Sequence, residues 1–333
     1  IFRINADEFA LYFDREVDLV AANTRVQKQF FSRQINVEDL GFNITFTAGG
    51  AVGCEGLASK AVQALRKARE LGKNQFHLYV ADSDEPDQAK RAEHIYWNGM
   101  LHDALANGGI EPYFQGIRDN RTGEIVKYEA LVRLIEGDTV HSPYHFLDAA
   151  RLSGLLPLIT RRVIDRGFAQ IAGTATELSV NVTEEDLNQH YLEQYLETKL
   201  AEYALQPEQV TLEILEGVSS TGKKNHIKQL RSLKARGYQL AIDDFGTEYS
   251  NFERILELNV DVVKIDAKYI KNIAEDNASY EITRAIVYFA KNARIETVAE
   301  FVHNEAVQAI VEKLGIEYSQ GYLYSEPVPE IGR

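Results

Sequence analysis

The sequence predicts an α/β protein whose larger part, from Ile110 onward, is a (β/α)8-like barrel of the TIM type. Eight short apolar segments that read as strands alternate with amphipathic stretches that read as helices, which is the pattern of such a barrel. Six of the strands carry, at or near their C-terminal ends, a residue suited to metal or phosphate chemistry, and barrels of this type hold their sites on the strand ends. The first two strands are joined only by D-N-R-T-G, which is too short for a helical crossover, so they should be antiparallel.

Residues 1–81 read as a smaller α+β segment. I-F-R-I and E-F-A-L-Y-F are predicted to be two strands joined by a tight turn at residues 5–7. The elements predicted to follow are a helix over 15–34, a strand over 44–52, a helix over 58–71 and a strand over 75–80.

A linker helix is predicted within residues 82–109. Asp84 in D-S-D-E-P is a candidate N-cap, and Gly108-Gly109 ends the helix. Its apolar stripe, which repeats every four residues, is interpreted as packing and consists of Trp97, Leu101 and Leu105. The predicted domains are therefore 1–81, 82–109 and 110–333.

The barrel strands are predicted at regular intervals, with helices such as those over 225–236 and 280–292 between them. The predicted strands are 112–117, 125–134, 178–183, 210–215, 239–244, 262–266, 296–301 and 318–323.

The composition limits the partners and the location of the protein. A net charge of -14 argues against binding of DNA or RNA, because no basic stripe is present to release counterions. The negative net charge does not exclude an anionic substrate, since carboxylates can hold divalent cations that bind phosphate. The sequence shows no signal peptide and no apolar run near the roughly 18 residues that span a bilayer. The single cysteine, Cys54, suits a reducing cytoplasm, where we expect the protein.

The chain begins with Ile1, and its one methionine is Met100. We therefore expect it to be a part of a longer protein. An upstream membrane or sensor segment is left open.

The polar residues at the strand ends form the candidate site. They are Glu129, Asn181, Glu213, the pair Asp243 and Asp244, Lys264 and Glu300. Carboxylates are rarely buried unless they are paired or bind metal. For any one of these acids a surface salt bridge or a helix cap is the ordinary interpretation, but the whole series favours a site.

Two adjacent carboxylates begin the sequence D-D-F-G-T-E-Y-S-N, residues 243–251, at the end of an apolar strand. Such a pair can engage two metal ions, which clamp an in-line displacement at phosphorus. The oxygen ligands suit magnesium or manganese. Lys264 can position the attacking water or neutralise the charge that develops on the phosphoryl group.

Residues 110–333 resemble an EAL domain, the phosphodiesterase of the bacterial second messenger cyclic di-GMP. The motifs appear in the order of the family: Y-F-Q-G-I, E-A-L-V-R, S-V-N-V-T, L-E-I-L-E, D-D-F-G-T-E-Y-S-N, V-K-I-D, V-A-E and S-Q-G-Y. The resemblance implies a homodimer formed through this domain and two bound ions, Mg²⁺ or Mn²⁺.

The resemblance also implies a role for each matching residue. It implies a first metal held by Glu129, Asn181, Glu213 and Asp243, and a second held by Asp243, Asp244 and Glu300. It implies a catalytic group of Lys264, which orients water, Glu300, Glu216, which anchors a loop, and Gln320. The positions implied to hold the dinucleotide are Gln115, Glu129, Leu131 and Arg133.

Three residues depart from the family pattern. Glu248 stands where glycine is usual, in the loop after the paired aspartates. The family's E-G-V-E reads E-F-V-H at residues 300–303, so His303 replaces a carboxylate, and Arg151 stands where glutamate is usual. A change beside a metal site can lower metal affinity or turnover by roughly 10–100-fold.

Residues 1–81 resemble the C-terminal half of a GGDEF domain, the diguanylate cyclase module often fused upstream of EAL domains. The signature reads N-A-D-E-F here, and glycines that permit a close approach to the nucleotide are replaced. Cyclase activity is therefore not expected, and a regulatory role, such as GTP binding in the full protein, stays open.

The predicted function is metal-dependent hydrolysis of cyclic di-GMP to linear pGpG. The alternative is a catalytically weak or inactive receptor of cyclic di-GMP that signals through the linker helix. Another metal-dependent barrel hydrolase would leave the order of the motifs unexplained.

Overall fold

The computed structural model describes residues 1–4, 8–13, 17–31, 34–37, 40–43, 45–53, 55–80, 86–217, 224–246 and 252–332. The chain divides into two compact units, residues 1–93 and residues 94–333. The turn expected at residues 5–7, the N-cap Asp84 and the departure at Glu248 lie outside the described residues. The three-part division at 81 and 109 stays a prediction.

The described residues of the first unit contain six short strands and two helices that lie wholly within it. They are β1 (Phe2–Arg3), β2 (Phe9–Ala10), α1 (Leu19–Phe31), β3 (Gln34–Val37), β4 (Leu40–Asn43), β5 (Ala48–Gly50), α2 (Leu57–Glu70) and β6 (Phe76–Leu78). β1 pairs with β2 and β3 with β4, both antiparallel, while β5 pairs with β6 in parallel.

The hairpin of β3 and β4 corrects the sequence prediction, which placed a helix over 15–34 and no strand between that helix and residue 44. The helix ends at Phe31 and the chain becomes extended in Q-I-N-V. Two β-branched residues in that short sequence favour extended backbone over helix.

The linker helix α3 (Pro86–Asn107) begins with proline, which fits the first turn of a helix because its missing N–H needs no partner there. Trp97 and Leu101 are buried in the core of the second unit, and Leu105 packs against that core. The prediction that this apolar stripe serves packing is confirmed.

Nine strands form one sheet in the second unit. They are β7 (Ile110–Asp119), β8 (Ile125–Glu136), β9 (Thr139–His141), β10 (Glu177–Val182), β11 (Val210–Leu215), β12 (Gln239–Phe245), β13 (Val262–Ile265), β14 (Glu296–Ala299) and β15 (Tyr318–Gln320). Pairing of β10 with β8 closes eight of them into a barrel, and β9 adds to β8 outside the closed ring.

β7 is antiparallel to both of its neighbours, β8 and β15, whereas the other pairs of the barrel are parallel. The Asp119 carboxylate accepts hydrogen bonds from the N–H groups of Arg121 and Thr122 and so fixes the tight turn between β7 and β8. The predicted barrel and its antiparallel first strand are confirmed.

Helices surround the barrel. They are α4 (Pro143–Leu152), α5 (Leu156–Ile171), α6 (Glu184–Asn188), α7 (Leu192–Tyr203), α8 (Lys224–Ala235), α9 (Phe252–Leu258), α10 (Ala267–Ile270), α11 (Asn277–Ala293) and α12 (Glu305–Leu314). Their apolar faces and the outer faces of the strands form one continuous core. Within the described ranges, no helix combines the length and the apolar character needed to cross a membrane.

Candidate active site

The inside of the barrel is built in layers, because side chains that are two residues apart on a strand share a face. One layer is formed by Ile117, Lys127, Ser179, Thr211, Ala241, Val262, Val298 and Tyr318. The next layer, two residues further toward the barrel mouth, is formed by Gln115, Glu129, Asn181, Glu213, Asp243, Lys264, Glu300 and Gln320. Each barrel strand therefore contributes one polar residue, within the strand or directly after it, to the layer at the mouth.

Lys264 lies among four carboxylates of this layer. Its Nζ atom is 3.0 Å from Glu129 Oε2, 2.8 Å from Glu213 Oε2, 3.0 Å from Asp243 Oδ1 and 2.9 Å from Glu300 Oε1. The lysine is 1% exposed. Burial acts to lower the pKa of its ammonium group, but the surrounding carboxylates, Asp243 foremost, raise the pKa well above its ordinary value. In the metal-free site, Lys264 therefore favours its charged form.

Glu129 is held by donors on both of its oxygens. The Asn181 amide donates to Oε1 at 2.8 Å and the Gln320 amide to Oε2 at 2.8 Å. Burial alone would raise the pKa of Glu129, but the charge of Lys264 and these hydrogen bonds lower it below its ordinary value. The Gln320 side-chain amide also donates to the side-chain oxygen Oε1 of Gln115 at 3.1 Å, so both glutamines belong to the same network.

Asp243 and Asp244 face the same space because the strand is irregular at this point. Neighbouring residues of a regular strand point to opposite faces. Here the register of β12 against β13 shifts between Ile242 and Phe245, and Asp244 has a φ of 54°. Carboxylate oxygens of Asp243, Asp244 and Glu300 consequently lie within 4.8 Å of one another.

The pKa values of three of these acids are raised, because the acids are buried and lie close to one another. Burial, and then the charge of Glu129, raises the pKa of Glu213 to about 8. Burial, followed by the charges of Asp243 and Asp266, raises the pKa of Asp244 to about 6. Burial also raises the pKa of Glu300 well above its ordinary value. The mouth thus contains more negative charge than the single ammonium of Lys264 neutralises.

The donor set fits a hard divalent cation. It consists of carboxylate oxygens and one side-chain amide, the ligands that magnesium and manganese favour. Three carboxylates converge in the cluster of Asp243, Asp244 and Glu300, and a cation there would offset their mutual repulsion.

Glu216 binds the backbone at the end of β12. Its Oε2 atom accepts a hydrogen bond from the Gly246 N–H at 3.0 Å, and the Tyr269 hydroxyl donates to the Gly246 carbonyl. Gly246 has a φ of 98°, and a Cβ atom there would lie 2.7 Å from the Tyr269 ring. Glu216 therefore fixes Gly246, directly after β12, and its role as a loop anchor stays a prediction.

Leu131 and Arg133 follow Glu129 on the same face of β8, so they lie beyond the acid layer. The guanidinium of Arg133 is 5.6 Å from the centre of the Tyr113 ring and donates to the Val132 carbonyl at 2.9 Å. Leu131 and Arg133 thus extend the face of β8 that carries Glu129, and their contacts with the substrate stay a prediction.

Two of the departures from the family pattern lie in the described residues. His303 lies 3.2 Å from the Phe301 carbonyl and 2.9 Å from the Asn304 amide. Arg151 lies on α4, 3.8 Å from the exposed Asp148. Neither residue shows a hydrogen bond or an ion pair to the carboxylates around Lys264.

The segment after β15 pairs with β7, a contact that the sequence did not predict. Phe114 of β7 and Val328 bond each other through both backbone groups, and the Ser325 carbonyl accepts from the Gln115 amide at 2.9 Å. The Ser325 hydroxyl accepts from the Gly116 N–H at 3.0 Å. This segment therefore positions Gln115, and no sequence signal that we used indicated it.

The chain was compared with known families, curated proteins and solved structures. The EAL domain model matches residues 98–327. Cyclic di-GMP phosphodiesterase PdeB of Shewanella oneidensis is 27% identical over 98% of this chain and 40% of its own length. The chain spans less than half the length of the curated relatives that it matches.

Two solved structures are similar to the barrel. The PaMucR phosphodiesterase in its c-di-GMP complex is 29% identical, with a TM-score of 0.66 over 69% of this chain and 98% of that chain. The calcium and c-di-GMP complex of BlrP1 from Klebsiella pneumoniae is 25% identical, with a TM-score of 0.60 over 68% of this chain and 57% of that chain. The family match, which covers more than half of the chain, agrees with the closed barrel and its acidic mouth, and the chain belongs to the EAL domain family.

Proposed function

We propose that this chain hydrolyses cyclic di-GMP to linear pGpG and needs divalent cations to do so. The observation that carries the proposal is the acid layer: four carboxylates surround a buried ammonium at the mouth of the barrel. Relatives named cyclic di-GMP phosphodiesterases and similar structures that hold c-di-GMP support the choice of substrate.

The proposed ions are magnesium or manganese. One ion is held by Glu129, Asn181, Glu213 and Asp243, and the other by Asp243, Asp244 and Glu300. When bound, such ions lower the pKa of water and neutralise charge on a phosphoryl group. The cluster of Asp243, Asp244 and Glu300 supports the second of these sites.

Lys264 acts on the reacting phosphate as a fixed positive charge. Its raised pKa means that it keeps its proton, so it serves to orient water and to stabilise developing negative charge, and not as a general base. Gln320 and Asn181 hold Glu129 in place through hydrogen bonds. Glu216 acts at a distance by fixing Gly246.

Substrate contacts extend from the acid layer along β8. Gln115 and Glu129 lie in that layer, while Leu131 and Arg133 follow on the same face and offer an apolar surface and a guanidinium. A guanidinium is well suited to a phosphate, to which it can donate two hydrogen bonds.

The test is incubation of the purified chain with cyclic di-GMP and magnesium or manganese, with chromatography of the products. Formation of pGpG only when metal is present is expected. Binding of intact cyclic di-GMP without product would contradict the proposed hydrolysis and support the alternative, a receptor of cyclic di-GMP.

We also propose a homodimer of the barrel unit. Phe252 and Leu256 of α9 and Ile282 of α11 are 42%, 55% and 40% exposed, and the rings of Phe252 and Phe289 join the two helices at 4.6 Å. Light scattering after size exclusion should show a dimer, and Leu256→Glu should shift it toward the monomer. A wild-type monomer at high concentration would refute this assembly.

A further inference from the structure

Phe301, the residue after Glu300, has a backbone conformation that phenylalanine rarely adopts. Its φ is 59°, in the left-handed region where the Cβ atom crowds the following carbonyl oxygen. The other described non-glycine residues with positive φ are Asn74, His190, Ala204, Asp244, Asn259 and Arg294. Asn, Asp and His tolerate this region better than most residues, and Ala204 and Arg294 end helices. Phe301 belongs to neither group.

Packing does not offset the strain at Phe301. The side chain is 47% exposed, so burial of its ring contributes only part of what a core phenylalanine would gain. Glycine, which the family pattern has at this position, would adopt the same φ without strain. A strained residue of this kind points to a role of its side chain outside the fold itself.

The turn that carries Phe301 is rigid and tied to the site. The Val302 N–H donates to the Gln320 carbonyl at 3.0 Å, and the Val302 carbonyl accepts from the Leu323 N–H at 3.1 Å. Gly321 permits this approach, because a Cβ atom there would lie 2.1 Å from the Val302 carbonyl oxygen. The backbone that carries Phe301, the residue directly after Glu300, is thus bonded to the backbone of Gln320.

His303, one of the departures from the family, supports the same turn. Its Nδ1 atom lies 3.2 Å from the Phe301 carbonyl and its Nε2 atom 2.9 Å from the Asn304 amide nitrogen. The first contact needs a proton on Nδ1 and the second a free lone pair on Nε2, which assigns the neutral tautomer. An ionised glutamate at position 303 has no proton to donate to that carbonyl. Phe301 and His303 therefore form one local unit.

The surroundings of the ring suit a planar group on an anionic molecule. The His303 ring centre is 5.6 Å from that of Phe301, and the Lys271 ammonium is 5.5 Å from the Phe301 ring centre. Aromatic faces stack on nucleobases of any sequence, and a nearby cation attracts the phosphates attached to them.

We infer that Phe301, positioned by His303, is a stacking surface for one guanine base of the cyclic dinucleotide. The inference rests on the proposed function and names a substrate contact on a residue for which EAL domains usually have glycine. The ring of Phe301 is the part that binds the base. The strained backbone is required to place the ring in this position.

The test compares two truncations of Phe301 that differ in strain. Calorimetry measures the Kd of cyclic di-GMP with calcium in place of magnesium, and chromatography verifies that the dinucleotide stays intact. Phe301→Ala and Phe301→Gly should weaken binding equally, by about five- to 150-fold, as expected for one stacked base. Phe301→Trp should retain the affinity within about threefold, and cyclic di-GMP should quench the fluorescence of the new indole.

Thermal unfolding separates the ring from the strain. Phe301→Gly should raise Tm by about 2 °C and Phe301→Ala should not, because alanine keeps a Cβ atom at positive φ. Arg294→Gly is the matched control: Arg294 has a φ of 60°, is exposed and ends α11. Arg294→Gly should raise Tm by a similar amount and leave the Kd of cyclic di-GMP unchanged.

The following outcomes would overturn the inference. A Kd that stays within about twofold in Phe301→Ala excludes stacking, and weakening in Phe301→Gly alone assigns the effect to backbone freedom. If the wild-type chain neither binds nor hydrolyses cyclic di-GMP, the proposed function fails and the inference with it. If the wild-type chain is active and Phe301→Ala binds normally, only the inference fails.

Discussion

Two lysines are buried inside this barrel, near opposite ends of the strands, and their surroundings differ. Lys127 lies in the layer away from the mouth, with its Nζ atom 3.8 Å from Glu296 Oε2 and 4.0 Å from the centre of the Tyr318 ring. The Glu296 side chain is 48% exposed. Lys264 lies at the mouth, where four carboxylates approach it within 3.0 Å.

Lys127 is a buried lysine that the fold tolerates, whereas Lys264 belongs to a functional site. A long aliphatic stem packs in the barrel, and one carboxylate with an aromatic face is sufficient company for the charge of Lys127. One carboxylate and an aromatic face would also be sufficient to stabilise the buried charge of Lys264. Burial, and then the additional acids around Lys264, raise the pKa of Glu213 and Glu300, so their arrangement is unfavourable to the fold and is explained by ligands of positive charge.

The largest effect should follow from replacement of Lys264 by methionine. Lys264→Met should lower kcat for cyclic di-GMP hydrolysis by about 10²–10³-fold, since a preorganised positive charge at the reacting phosphate is lost. The Kd for the dinucleotide should change much less. Lys127→Met is the matched control and should retain kcat and KM. Equal turnover in both variants would remove the distinction between the two ends.

Metal binding should depend on the carboxylates at the barrel mouth and not on exposed carboxylates elsewhere. In the wild-type chain, Mn²⁺ at about 100 times its Kd should raise Tm by roughly 5–10 °C, because it binds the folded state. Asp243→Asn should lose this shift together with detectable hydrolysis, as the carboxylate shared by both proposed sites is gone. Asp148→Asn, which alters an exposed acid of α4, should keep both. A normal manganese shift in Asp243→Asn would be evidence against the two-metal assignment.

Much of this contrast could be predicted from the sequence. Polar residues at the ends of apolar strands stand out because burial of a carboxylate is costly, and the short D-N-R-T-G turn allowed only an antiparallel pair. The position of Lys264 among four acids was not predictable, because Glu129 and Lys264 meet across the barrel from distant parts of the chain. The positive φ of Asp244 and Phe301 arises from tertiary constraints that no local pattern reveals.

The raised pKa values predict a dependence of stability on pH. Unfolded glutamate titrates near pH 4.5, whereas the pKa of Glu213 is about 8 in the folded chain. The folded state therefore holds a proton that the unfolded state has lost, and stability falls as pH rises from about 5 to 8. Tm in EDTA should decrease over this range and should do so less steeply in Glu213→Gln, while the gain from Mn²⁺ should increase. An equal slope in wild type and Glu213→Gln would show that this carboxyl group does not titrate in that window.

The smallest expected effect is the change in stability of Lys127→Met. Methionine keeps the packed stem and removes an ammonium whose carboxylate partner is half-exposed and 3.8 Å away. Replacement of a weakly paired buried ion by an apolar side chain of similar length is often neutral, so the free energy of unfolding should change by about 1 kcal/mol or less. Glu296 stays solvated after the change, because its side chain already reaches water, and the Tyr318 hydroxyl still donates to it at 3.2 Å. Chemical denaturation of the metal-free chain measures the change, with Tyr318→Phe as the control for that hydrogen bond. A loss of several kcal/mol in Lys127→Met would mean that Lys127 organises its end of the barrel as Lys264 organises the mouth.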